Sequence, residues 1–220
     1  MSLTEKMAVK IGKNAKSVLN IDNDTEEIII YGAINLIQII SAFTCVIIAG
    51  LIFGVLCEAL IFTISVSILR KYSGGAHASS PLRCTIIGMF LALAVGLSVD
   101  KILYKFNITT VILMSIACVI FTLLVILRNA PVDSIQKPIT DIKMREAFRK
   151  KSIIVIFICS FVIIGLFVIN MTDLEVYNIK LIETISIGLF WQAITLTKKG
   201  ISLLNKFDFI LKNRINMGGE

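Results

Sequence analysis

Residues 28–57 read IIIYGAINLIQIISAFTCVIIAGLIFGVLC, thirty positions without a charge. A helix crosses the hydrocarbon of a bilayer with roughly 17 to 25 residues. A second apolar run, 59–69, follows after a single acid, Glu58. Together, residues 28–69 hold two spans joined by a tight turn near Gly50 to Gly54, where glycine opens backbone angles closed to other residues. A helix apolar on every side has no stable place in water, so the stretch sets the class: an all-α integral membrane protein.

Further runs at 84–99, 111–127, 153–171 and 185–197 bring the expected count to about six transmembrane helices. Composition agrees, with 56% hydrophobic residues, a mean hydropathy of +0.89 and 17% charged residues against about 25% in a soluble domain. The 220 residues read as a single membrane-embedded domain, 1–220, with polar segments at 1–22, 70–84, 128–151 and 198–220. Residues 1–20 lack the apolar stretch of a signal peptide, so no cleaved leader is expected. Instead Leu3, Met7, Ile11, Ala15 and Val18 repeat at helical spacing, with Lys6, Lys10, Lys13 and Lys16 off the stripe. This is an amphipathic helix suited to lie on anionic lipid, or else to pack on the protein's own loops.

Cytoplasmic loops accumulate Lys and Arg, which fixes orientation. With the N-terminus inside, one face collects 19 of the basic residues, from the N-terminal helix, the 70–84 and 128–151 loops and the 198–220 tail, and the other only Lys101, Lys105 and Lys180. Both termini and both loops are therefore expected in the cytoplasm. The net charge of +7 then sits on one membrane face, suited to membrane lipid or an acidic peptide. Nucleic acid is a poor partner, because no aromatic residues are interleaved with the basic ones as a stacking surface requires.

Cys45, Cys57, Cys118 and Cys159 lie within apolar runs and read as packing residues. The one histidine, His77, cannot furnish a two-histidine metal site, so no metal and no cofactor are expected. His77 falls in RKYSGGAHASSPLRC, residues 70–84, seven positions before Cys84. A cysteine attacks as the thiolate, and a neighbouring histidine is the usual base. On a straight helix the two would stand about 10 Å apart along the axis. Gly74, Gly75 and Pro81 break the helix and let the segment fold back to the contact of about 3 Å that proton transfer needs. Arg70, Lys71 and Arg83 make the site electropositive and could hold a substrate carboxylate. Ser73, Ser79, Ser80 and the backbone N–H groups of the Gly74–Gly75 turn are candidate oxyanion donors. The bland alternative is a loop whose histidine caps a helix and whose cysteine packs. Glu58 is the one acid amid the apolar stretch, but about 18 Å of straight helix separates it from Arg70, which favours a structural polar pair over a catalytic role.

The RxxxGGxH pattern from Arg70 to His77, followed by Cys84, resembles the signature of the accessory gene regulator B (AgrB) family, membrane-embedded cysteine endopeptidases of Gram-positive bacteria. Residues 27–32 ahead of the first span and NAPVDSIQKPIT at 129–140, with Pro131, Lys137 and Pro138, are similar to other parts of that family. The resemblance implies that His77 and Cys84 are a catalytic pair. It implies that an AgrD-like precursor peptide is cut near its C-terminal segment and held as a thioester on the cysteine. The retained part is then released as a cyclic thiolactone or lactone signal for quorum sensing. It further implies a homodimer in a bacterial cell membrane, with the site on the cytoplasmic face. The basic 128–151 loop reads either as a clamp for an acidic precursor tail or as a membrane anchor. A small-peptide exporter and a non-catalytic membrane scaffold are the competing functions.

Overall fold

The computed structural model describes residues 3–76, 78–133, 141–172 and 176–217, and the regular elements within them are all helices. In chain order the elements are α1 (Leu3–Leu19), α2 (Asn23–Phe53), α3 (Leu56–Ser73), α4 (Pro81–Lys101), a 3-10 turn (Leu103–Lys105), α5 (Ile108–Asn129), α6 (Ile142–Thr172), α7 (Val176–Thr195) and α8 (Lys198–Met217).

The turn expected near Gly50 to Gly54 falls at Gly54, which closes α2 in the left-handed conformation at φ 69° and donates its N–H to the carbonyls of Gly50 and Leu51. Polar caps start two other spans. The Asp22 carboxylate accepts from Thr25 N at 3.1 Å before α2, and the Asn107 amide oxygen accepts from Thr110 N at 2.8 Å before α5. Pro81 opens α4, where its missing N–H costs nothing.

Helices α2 to α7 run alternately up and down between two poles. At one pole meet the ends of α3, α5 and α7: Val132 N bonds Ser73 O at 2.9 Å, and the Asn129 amide bonds Leu196 O at 3.1 Å. At the other, Lys180 of α7 sits 2.5 Å from Asp100 of α4, 3.7 Å from Glu58 of α3 and 5.3 Å from the centre of the Tyr104 ring. Glu58 is thus a structural ion-pair partner at the pole remote from residues 70–84. Helix α7 is the axis, packed on α3, α4, α5 and α6. Its Ile182, Ile185 and Leu189 join Val111, Ile126 and Ile156 in the larger core, while Trp191 meets Phe62, Ala59 and Ala92 in a second.

The outer face is apolar: Ile40, Ile48 and Ile52 on α2 and Phe157, Phe161 and Ile164 on α6 are exposed. Several polar residues of α7 point inward. Glu183 and Gln192 are 3% and 0% exposed, as expected where the surroundings are lipid. Several hydroxyls in the bundle donate to the carbonyl one turn back, as Ser65 does to Ile61 O and Thr122 to Cys118 O, whereas the buried Ser160 hydroxyl of α6 has no partner. Among the described residues, four helices are long and apolar enough to cross a membrane, at Asn23–Phe53, Pro81–Lys105, Ile108–Asn129 and Ile142–Ile169. Helices α7 and α8 reach five if taken as one span, but they meet at 90°. Helix α3, with Glu58, Arg70 and Lys71, is a bundle member whose charges set it apart from the lipid-facing four. Against the six transmembrane helices expected, length and composition identify four spans among the described residues, or five with the bent pair.

Helix α1 docks on the start of α2 through Ala8 and Gly12, against Ile30, and through Lys16, 2.7 Å from Glu26. Met7, Ile11 and Val18, part of its apolar stripe, remain exposed.

Candidate functional site

The non-helical part of residues 70–84 is short. Arg70 and Lys71 lie in the last turn of α3, Ser73 ends that helix, and Cys84 stands in the first turn of α4, its N–H bonded to Ser80 O at 3.0 Å. Gly74 and Gly75 carry the chain away from α3 at φ 68° and 130°, in the region that side chains disfavour. Gly74 also forms a parallel bridge to Val132. A methyl group on Gly74 would lie 2.1 Å from Val132 O. One on Gly75 would lie 2.9 Å from the Thr195 hydroxyl. The two loops singled out in the sequence are therefore a single construction, bonded backbone to backbone at the pole where α3, α5 and α7 end. The Ala130–Pro131 peptide leading into that bridge is cis.

Other elements pin the loop on either side of these glycines. Gln192 on α7 donates to Gly74 O at 2.8 Å and to the Ser73 hydroxyl at 3.0 Å. Ala76 N–H reaches Thr195 O at 3.4 Å, and the Arg70 guanidinium donates to Ala76 O. Beyond residue 77, the Asp208 carboxylate on α8 accepts from Ser79 N (3.2 Å), the Ser79 hydroxyl (2.6 Å) and Arg83 Nε (2.6 Å). Burial alone would raise the Asp208 carboxyl, but the hydrogen bonds from Ser79 and Arg83 outweigh it and hold the group below its usual range. The loop is held at Gly74, Ala76 and Ser79, on both sides of position 77.

His77 itself lies outside the described residues, as do Lys137 and Pro138. Cys84 is a free, half-buried thiol. It sits among the first N–H groups of α4, the end of a helix that favours anions. The Arg70 Nε and Gln192 Oε1 atoms, one donor and one acceptor, are enclosed beside the loop without a hydrogen-bond partner. Lys71 is exposed, 5.5 Å from the Tyr72 ring centre. Ser73 is fully buried, its hydroxyl accepting from Gln192 and donating to Gly74 O at 3.3 Å, and the Ser79 hydroxyl donates to Asp208, so neither is a free oxyanion donor. Ser80 makes no side-chain capping bond. Pro131 offers its carbonyl to Arg145 at 3.4 Å. No group of three His, Cys, Asp or Glu side chains among the described residues could hold a metal ion. Of the remaining cysteines, Cys159 packs against the core, but Cys57 is exposed in the first turn of α3 rather than packed.

Sequence reasoning passed over Gln192, Thr195 and Asp208. Two carried a signal: Gln192 is a lone amide in the apolar run 185–197, and Asp208 is the one acid in the basic segment 198–217.

The family model described as Accessory gene regulator B matches residues 4–196. A Clostridium perfringens (strain SM101 / Type A) protein named "Putative AgrB-like protein" is 36% identical over 213 residues, covering 94% of this chain and 97% of the relative. A second, from C. perfringens (strain 13 / Type A) and named "Putative AgrB-like protein 2", is 33% identical over 207 residues with the same coverage. No solved structure matches the chain.

Proposed function

The chain belongs to the accessory gene regulator B family, and on that premise we propose that it is a membrane cysteine endopeptidase that cuts a small precursor peptide and promotes its cyclisation. Family membership fits a role in quorum-sensing peptide processing. One observation supports the enzymatic reading most: a glycine-dependent loop fixed on both sides of position 77 by α3, α5, α7 and α8, ending on a thiol at a helix N-terminus. Holding reacting groups in place is where much of an enzyme's rate comes from. A scaffold has no need of it.

In this mechanism His77 takes the Cys84 proton and the thiolate attacks the scissile carbonyl. The C–N bond breaks, the imidazolium returns the proton to the departing amine, and the N-terminal part of the peptide stays on Cys84 as a thioester. An internal cysteine or serine of that part then displaces Cys84, giving the thiolactone or lactone. Thioester exchange is nearly neutral in energy, whereas the first step is uphill and is drawn forward by loss of the tail.

The substrate is an AgrD-like peptide made in the cytoplasm, so the loop pole faces the cytoplasm of a bacterial cell. The exposed Met7, Ile11 and Val18 of α1, with Lys6, Lys10 and Lys13 beside them, suit contact with anionic lipid. The protein acts as a homodimer.

The test is mass spectrometry of purified protein mixed with a precursor whose internal nucleophile is replaced by alanine. Cys84 should carry an acyl adduct released by hydroxylamine, and Cys84→Ser and His77→Ala should each abolish cleavage. Rapid linear product without an adduct would leave a plain protease. Cleavage by Cys84→Ser would remove the assignment.

A further inference from the structure

We propose that Asp208 is a positioning residue for the His77–Cys84 pair, acting through Ser79 and Arg83. The inference rests on the peptidase reading and deepens it, because Asp208 lies beyond residues 4–196 that the family model matches.

The placement starts at the α7–α8 corner. Thr197 bonds its hydroxyl to Ile194 O at 2.8 Å and accepts from Gly200 N at 3.1 Å, so one side chain closes α7 and caps α8. The two helices meet at 90°, and α8 is turned back onto α4. Asp208 thereby comes over the chain between the two candidate reacting residues. Ser79 lies two positions after His77, and Arg83 immediately precedes Cys84. One carboxylate grips both: Oδ2 takes the Ser79 N–H at 3.2 Å and its hydroxyl at 2.6 Å, while Oδ1 takes Arg83 Nε at 2.6 Å. Arg83 also donates to the Ser79 hydroxyl, closing a three-membered network. The Asp208 and Arg83 side chains are only 13% and 15% exposed, so water competes weakly and the charged hydrogen bonds are strong. Asparagine cannot replace the aspartate here. Arg83 has donors only, and an amide offers it one oxygen at the expense of Ser79.

The experiment compares wild type, Asp208→Asn, Asp208→Glu, Ser79→Ala and the Asp208→Asn/Ser79→Ala double variant, purified as the full chain. It measures precursor cleavage together with the pH profile of Cys84 alkylation by iodoacetamide. Asp208→Asn should lower kcat about tenfold or more with KM within about twofold, as for displaced reacting groups. Its alkylation profile should move toward that of His77→Ala. Asp208→Glu should recover part of both, and the double variant should lose less than the product of the single losses, since the two side chains act as one unit. Wild-type kcat and alkylation profile in Asp208→Asn, or multiplicative losses in the double variant, would overturn the proposal. Should Asp208→Asn not fold, Ser79→Ala decides: a partial loss of kcat with the same profile shift supports the proposal, and wild-type behaviour overturns it. Failure of the peptidase reading looks different, because cleavage is then absent in wild type or present in Cys84→Ser. The alkylation profiles still report whether Asp208 governs the thiol's surroundings.

Discussion

Gly74 has no room for a side chain. Its φ of 68° disfavours one, and a methyl group would stand 2.1 Å from Val132 O, inside any tolerable contact. Gly74→Ala must therefore break the bridge to Val132 or distort α3, at a cost of about 1–3 kcal/mol from the backbone alone. We expect Gly74→Ala to insert into membranes and to lose precursor cleavage, measured against the wild-type rate. Retained cleavage would mean that the two loops need not touch. At this scale the sequence was legible where chemistry is unusual for its setting. A histidine and a Gly-Gly pair in an apolar chain stand out, and Cys84 stands out by its spacing from them. Gln192 and Asp208 did not, because a single amide or acid becomes meaningful only when the fold shows what it reaches across 118 or 129 positions of sequence.

Elements were legible by a different rule. The apolar run expected at 185–197 is only the second half of the helix that exists, Val176–Thr195. Lys180 and Glu183 interrupted the hydropathy pattern, yet they do not interrupt the helix. Lys180 is neutralised by Asp100 and Glu58, and Glu183 is enclosed in the bundle. The run at 59–69 likewise extends to Leu56–Ser73, because its end charges sit where the two poles receive them. Hydropathy found α2, α5 and α6 readily since their outer faces meet no protein, whereas the interior helices were blurred by the polar residues that make them interior. A prediction belongs here. Lys180→Met should leave Glu58 without its partner, while Asp100 keeps Lys101 at 2.7 Å, and destabilise the bundle by about 1–3 kcal/mol, less than for a fully buried pair because the cluster is partly solvated. The thermal midpoint in detergent reads it, and Lys180→Met combined with Glu58→Gln should restore part of the loss. No change in the midpoint would show that the cluster is solvated rather than structural.

For the whole molecule, the uneven division of Lys and Arg along the chain reappears as two poles. Lys101, Lys105 and Lys180 gather at one, and the ends of α3, α5 and α7 with their basic loops gather at the other. Charge asymmetry was legible because it depends on the number of crossings alone. The meeting of the two loops was not, since it depends on α5 lying beside α7. Single cysteines placed at Ala78 and Asn205 in a cysteine-free background should react with an impermeant thiol reagent only in opened cells, and one at Asn107 in intact cells. Reaction at position 78 from outside would invert the orientation and close the route from a cytoplasmic precursor.

The joining of Ser73–Gly74 to Val132 and Gln192, and of Ser79 to Asp208, also sets an order of assembly. The ribosome makes α3 first, then α5, α7 and α8, and each later helix adds one fastening to the same short loop. A nascent chain that has threaded only its first spans holds the thiol and the loop but none of the partners that fix them. On the proposed peptidase reading, the thiol would gain its full set of fastenings only when the last described helix folds back over the middle of the chain, so that synthesis itself would serve as the safety catch.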